Sequence, residues 1–249
     1  MKSRSQLGLF LTVALTAVSV LAGTGAQTPV AEGVPAQNVL GRVTLAFENS
    51  RVPIADQSRA VVWLVPLDRG PELQVAADQR RYQMAQRNKS FQPNMLVVPV
   101  GTAVDFPNFD PWFHNVFSLY QGKRFDLGLY EAGSWKQVIF DRLGASYIFC
   151  NIHPQMHAVV LAVDSRYFGI SDKAGRISIP NVPSGRYELH AWYENAAPKT
   201  LEAAERRIEV GDANRALPPI SIEAVKQDPM KHKNKYGEEY DPADQTTIY

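Results

Sequence analysis

Three side chains able to bind a soft metal follow one another at equal spacing in Cys150-Asn-Ile-His153-Pro-Gln-Met156. They offer a thiolate, an imidazole and a thioether, three residues apart. A second imidazole stands 36 residues before the cysteine, in Pro111-Trp-Phe-His114-Asn-Val-Phe. Two histidine nitrogens, one cysteine sulfur and a weak methionine sulfur make up the ligand set of a type 1 copper site. Sulfur suits Cu(I), and imidazole suits both oxidation states, so such a set lets the metal change charge with little rearrangement. The methionine would be a long axial ligand that tunes the potential. Pro154, Trp112 and Phe113 would form an apolar wall that keeps water off the metal. Zinc is the chemical competitor, because two His and one Cys also suit it, although a methionine in fourth place argues against structural zinc.

The cysteine carries further weight because it is the only one among 249 residues. A single Cys forms no internal disulfide and builds no four-thiolate cluster. The chain also opens like an exported protein. Lys2 and Arg4 precede an uncharged run from Leu7 to Ala22, followed by Gly23-Thr-Gly-Ala26. A basic start, an apolar stretch shorter than the ~20 residues of a membrane span, and small residues at its end predict a signal peptide over 1–26. A periplasmic or secreted location follows, with no membrane span after cleavage. A lone thiol in an oxidising compartment needs burial or a metal. The charges nearly cancel, at 26 Lys+Arg against 25 Asp+Glu, so nothing drives binding to a phosphate backbone and nucleic acid is not an expected partner.

The elements that must position these residues are strands. Val39–Phe47 alternates, and 59–67 is a β-branched run. Short strands at 94–100, 103–106, 115–119, 136–140, 146–150 and 157–163 follow at close spacing, punctuated by Gly and Pro. Later strands read at 176–179, 187–193, 207–210 and 220–224, with helix only over 196–207. The fold class is all-β, a sandwich or barrel. Residues 27–38 read as a flexible leader. The polar tail 226–249 reads as disordered, with a docking segment as the alternative.

At this point the chain resembles the cupredoxin, or blue copper, family over 82–164. The resemblance rests on Phe91-Gln-Pro-Asn-Met-Leu-Val-Val-Pro-Val-Gly101, Val104-Asp-Phe-Pro-Asn108, the His114-Asn115 pair and the Cys-x2-His-x2-Met loop, whose short spacing resembles that of amicyanin. It implies a Greek-key sandwich holding one type 1 copper through His114, Cys150, His153 and Met156. It further implies that His114 lies deeper, that His153 lies nearer the surface as the electron-exit side, and that Asn115 braces the two ligand loops. The flanks, 39–81 and 165–225, resemble a carboxypeptidase-regulatory-like (transthyretin-like) sandwich. That resemblance rests on Gly41-Arg-Val-Thr, Ala60-Val-Val-Trp-Leu and Asp172-Lys-Ala-Gly-Arg-Ile-Ser-Ile-Pro-Asn-Val-Pro-Ser-Gly-Arg-Tyr-Glu-Leu. One small sandwich interrupted by the copper domain is the reading. The alternative is a copper domain followed by an independent sandwich, with 39–67 as an extension. The whole is similar to bacterial methylamine utilisation proteins.

These features predict a one-electron carrier between a redox donor and an acceptor, and no enzyme, because a filled four-ligand set leaves no open coordination position. A copper-delivery protein and an accessory subunit of a larger redox complex are the alternatives. His157 is expected at the surface or in packing, His190 exposed, and Met84 and Met95 in the core.

Overall fold

The computed structural model describes residues 37–68, 81–119, 122–226 and 233–240. The expected signal peptide and most of the leader lie outside them. Seventeen strands and one short helix are present among these residues. In chain order the first are β1 (Gln37–Phe47), β2 (Val61–Pro66), β3 (Tyr82–Gln83), β4 (Ala85–Gln86), β5 (Phe91–Gln92), β6 (Met95–Pro99) and β7 (Thr102–Pro107). Next come β8 (His114–Ser118), β9 (Phe125–Tyr130), β10 (Trp135–Phe140), β11 (Gly144–Phe149) and β12 (His157–Val163). The chain closes with β13 (Phe168–Ile170), β14 (Arg176–Val182), β15 (Gly185–Trp192), α1 (Pro198–Ala204), β16 (Arg206–Val210) and β17 (Ile220–Ala224). The fold is all-β, as its patterning predicts.

Four main sheets stack with three apolar seams between them. The middle region supplies a five-stranded sheet, β6-β12-β11-β8-β9, and a three-stranded sheet, β10-β7-β3. Val104, Phe106, Val138 and Phe140 from the smaller sheet meet Val98, Val116, Ile148 and Val160 from the larger, and Met84 joins them. The flanks supply β14-β1-β17 and β13-β2-β15-β16. Val43 and Leu45 of β1 pack there with Val62, Leu64, Tyr187, Leu189 and Ile222. The third seam lies between the flanking sheet that holds β2 and the outer face of the five-stranded sheet. It contains Val61, Met95, Val97, Val159, Leu161 and Val163, with Trp63 and Trp192 against it.

This stacking explains an apolar run that does not alternate. In β12, Ala158, Val160 and Ala162 face one seam while Val159, Leu161 and Val163 face another. A strand covered on both sides has no solvent face to mark with polar residues. The same holds for β2.

Strands from both sides of the middle region pair with one another. β1 runs parallel to β17, with Val43 opposite Ile220, and antiparallel to β14, with Leu40 opposite Ser178. β2 runs antiparallel to β15, with Leu64 opposite Leu189. The turn Asp172–Gly175 sets β14 against β1. Asp172 Oδ1 accepts from the amides of Ala174 and Arg176, both at 2.9 Å, and Val43 N donates to Gly175 O at 2.8 Å. Gly175 has φ +75°, and a Cβ there would collide with the Val43 carbonyl, so only glycine serves.

Two local expectations change. Gln37 and Asn38 belong to β1 rather than to the leader, since Gln37 pairs with Val182. The tail composition pointed to disorder, yet residues 233–240 form a turn bound to the body. Asn234 Oδ1 accepts from the amides of Tyr236 and Glu238, at 2.9 and 3.0 Å, so a polar side chain supplies the order that apolar burial does not.

Candidate metal centre

The ligand loop grows out of the end of β11. Phe149 pairs with His157 across to β12, so the chain must turn back within seven residues. The turn closes on itself: Met156 N donates to His153 O at 2.9 Å, and Cys150 N donates to Met156 O at 3.2 Å. β8 lies beside β11, with Phe117 opposite Phe149, and brings His114 to the same end of the sandwich.

Three donor atoms converge there. Cys150 Sγ lies 3.7 Å from His114 Nδ1 and 3.6 Å from His153 Nδ1, and the two Nδ1 atoms are 3.1 Å apart. Metal bonds of 2.0–2.3 Å arranged trigonally or tetrahedrally would separate such donors by about 3.3–3.8 Å. Both sulfur–nitrogen distances fall in that range and the Nδ1–Nδ1 distance is just under it, so a small separation of the two rings would seat one ion among the three donors. Among the described residues these three are the one cluster of His, Cys, Asp and Glu with this potential. His114 and Cys150 are fully enclosed at 0% exposure, while His153 retains 8%, which makes it the outer of the two rings. Met156 is buried in the same apolar cluster as Cys150.

The ring of His114 is held from behind. Its Nε2 lies 2.9 Å from Asp110 Oδ2. A carboxylate at that distance takes the ring proton on Nε2 and leaves the Nδ1 lone pair facing the donor cluster. Asp110 is itself fixed, accepting from the amides of Asn88 at 2.5 Å and Lys89 at 2.9 Å. The loop between them is shaped by Asn108, which donates to Trp112 O at 2.7 Å and accepts from Asp110 N at 3.0 Å. Sequence reasoning missed Asp110. Its only signal is a carboxylate four residues ahead of the histidine, in a Pro/Asn loop where an Asp reads as a turn residue.

The electrostatics favour neutral rings and work against a free thiolate. Burial pushes the His114 ring below its ordinary pKa, with Asp110 opposing. Burial, the His114 ring and Lys89 lower His153 to about 4. Both imidazoles are therefore neutral and able to ligate near neutral pH. Burial pushes the Cys150 thiol up, while the amides of Asn115, Ile152 and His153 aim at the sulfur and oppose the rise. A cation among the three donors would complete that opposition. Burial raises Asp110, but hydrogen bonds from Lys89, His114 and Asn88 outweigh it and keep the carboxylate below its ordinary value.

Other expected residues fall elsewhere. Asn115 links the His114 strand to the Cys150 loop through its backbone amide, which aims at the Cys150 sulfur, and not through its side chain. Its Nδ2 donates to Asp126 Oδ1 on β9 at 2.7 Å, because β9 lies on that side of β8. Phe113 is 56% exposed and walls off nothing, while Trp112 lies half-buried under Lys89 Nζ, 5.0 Å from its ring centre. His157 sits on β12, outside the donor cluster. His190 stacks on Trp63 at 5.2 Å in the flanking sheet and lies 3.2 Å from Glu205.

No family model matches the chain, and no curated protein does. Solved structures do. A purple cupredoxin from Nitrosopumilus maritimus matches at 24% identity over 33% of this chain and 99% of that one, with a TM-score of 0.31. A copper-containing nitrite reductase from Thermus scotoductus SA-01 matches at 25% identity over 39% of this chain and 25% of the reductase, with a TM-score of 0.33. A reduced amicyanin mutant matches at 17% identity over 36% of this chain and 88% of that one, with a TM-score of 0.32. The neighbours are thus cupredoxins, over about a third of the chain. The expectation that the chain is no enzyme is corrected by the second of these. A copper reductase stands among the neighbours, so resemblance to cupredoxins does not exclude catalysis. Among the described residues no helix is long and apolar enough to cross a membrane.

Proposed function

We propose that the chain is an exported type 1 copper protein that passes single electrons between a redox donor and an acceptor. The observation that carries this reading is the convergence of His114 Nδ1, His153 Nδ1 and Cys150 Sγ within 3.1–3.7 Å of one another in a buried pocket. Met156, at the end of the same loop, is the axial ligand in this reading. When bound, the copper supplies a reversible Cu(I)/Cu(II) couple.

The chain's own residues supply rigidity. Asp110 fixes the His114 ring and its proton. Three backbone amides surround the Cys150 sulfur, and the turn joining Cys150 N to Met156 O holds the loop. Donors held before the metal arrives need little movement when its charge changes. His153, the more exposed ring, is the contact for electron exit. We further read the sheets on either side of 82–164 as one interrupted carboxypeptidase-regulatory-like sandwich, supported by the pairing of β1 with both β14 and β17. The periplasmic or secreted location rests on the basic, apolar and small-residue pattern of 1–26.

The test is the visible spectrum of the copper-loaded, oxidised protein. A strong thiolate-to-copper band, bleached by a reductant and restored by an oxidant, is the expected result. A colourless protein that holds zinc in preference to copper would overturn the reading.

A further inference from the structure

Besides the Asn115 amide, which aims at the Cys150 sulfur, a second link between the two ligand loops starts from the Asn115 side chain. That side chain reaches only as far as Asp126 on β9, and its buried Oδ1 has no partner among the described residues. From Asp126 the connection continues into the C-terminal segment. Asp126 Oδ2 accepts from Lys235 Nζ at 2.9 Å, and Lys235 N donates to Asn151 Oδ1 at 2.9 Å. Asn151 directly follows Cys150. Five residues beyond Lys235, the Tyr240 hydroxyl donates to the Cys150 carbonyl at 3.1 Å.

The segment that makes these contacts holds its own shape. Asn234 N donates to Glu238 O at 2.9 Å, and Gly237 N donates to Asn234 O at 3.0 Å. This turn sets Lys235 and Tyr240 at a fixed separation. The Cys150 peptide groups are thereby held on both sides, the N–H by Met156 O and the carbonyl by Tyr240.

We propose that residues 233–240 are a positioning strap for the metal site, joining the strand that carries His114 to the loop that carries Cys150. The proposal rests on the copper reading for its consequence, and on the hydrogen bonds above for its existence. Asn115, Asp126, Lys235 and Asn151 form an unbroken chain of contacts between the residues next to His114 and Cys150. With the strap in place, the Cys150 backbone cannot drift away from the His114 ring. Removing the strap leaves every donor atom present and frees the loop that carries three of the four proposed ligands.

Two variants test this: a chain ending at His232, and Tyr240→Phe in the full chain. Hydrogen exchange of 150–156 is measured on the metal-free proteins. Copper release to a chelator and the position of the thiolate-to-copper band are measured on the loaded ones. The shortened chain is expected to exchange faster in that loop, to release copper about 10–100-fold faster, and to show a displaced band. Tyr240→Phe shifts each readout in the same direction by less, in a protein changed by one hydroxyl. Unchanged loop exchange and unchanged copper release in both variants would overturn the strap. If the full chain takes up no copper, the copper reading fails, and exchange in the metal-free proteins still decides the strap.

Discussion

Polar side chains are buried in both halves of the molecule, but they answer different needs. In the flanking sheets Gln57 behaves as a piece of backbone. Its Oε1 accepts from Leu45 N at 2.5 Å, and its Nε2 donates to Leu45 O at 2.9 Å and to the Ile54 carbonyl. Ser171 likewise accepts from Ala60 N at 3.0 Å and donates to Gln57 O at 2.6 Å, and Ser165 donates to Leu64 O at 2.5 Å. Each of these donors finds an acceptor. At the metal end Asp110 and Asn108 follow the same rule, whereas His114, His153 and Cys150 turn potential metal donors toward one another. With the His114 proton on Nε2, its Nδ1 faces the His153 Nδ1 at 3.1 Å and the Cys150 sulfur at 3.7 Å, and the sulfur lies 3.6 Å from the His153 Nδ1. Two imidazole nitrogens and a sulfur brought this close in a buried place suit a cation. The flank uses its polar groups to finish a sheet, whereas the metal end assembles them to hold a ligand.

The most severe test of this contrast is Cys150→Ser. Replacing the thiolate by a hydroxyl should abolish the thiolate-to-copper band altogether, read by visible absorption, while leaving the flanking core intact. Gln57→Ala is the counterpart in the flank. It strands the Leu45 amide, while the Leu45 carbonyl keeps the Ile54 amide at 2.8 Å, and should cost about 1–3 kcal/mol in urea unfolding, with the copper band unmoved. A displaced band in that variant would break the separation between the halves. Asp110→Ala releases the back of the His114 ring and should weaken metal binding by about 10–100-fold in a chelator competition. An affinity equal to wild type would show that Asp110 merely shapes its loop. His190→Ala removes the stack on Trp63 and the contact with Glu205. It should change stability by less than about 1 kcal/mol and leave the copper content alone. A fall in copper content would mean that the flank takes part in metal binding.

The parts of this arrangement that were legible in the chain are those in which the physics is local. Cys150, His153 and Met156 lie within one turn, so their spacing alone brings them together. β1 and β15 are covered on one face and open on the other, and they alternate accordingly. β9 was not anticipated as a strand. It is a sheet edge with Gly128 at φ +66° in its middle, and its Phe125-Asp-Leu-Gly-Leu-Tyr130 pattern is loosened by exposure. Asp110 was passed over because its role depends on the path of the 108–113 loop. Asn115 was expected to tie the ligand loops, and its amide aims at the Cys150 sulfur, but the side-chain tie runs on through Asp126 and Lys235, 109 residues apart in the chain.

Composition and local pattern were sufficient to determine that this protein is built of strands and that a soft-metal ligand set crowds one short loop. These follow from side-chain chemistry and from the two-residue period of a strand, which act over a few residues. Tertiary structure alone decided that His114 meets the loop through Nδ1, with Asp110 behind it. It alone brought β1 beside β17 and laid the C-terminal segment on the Cys150 carbonyl. Those outcomes depend on contacts between residues far apart in the chain, and no local preference encodes which of the many possible pairings buries the most apolar surface while leaving the fewest polar groups unpaired.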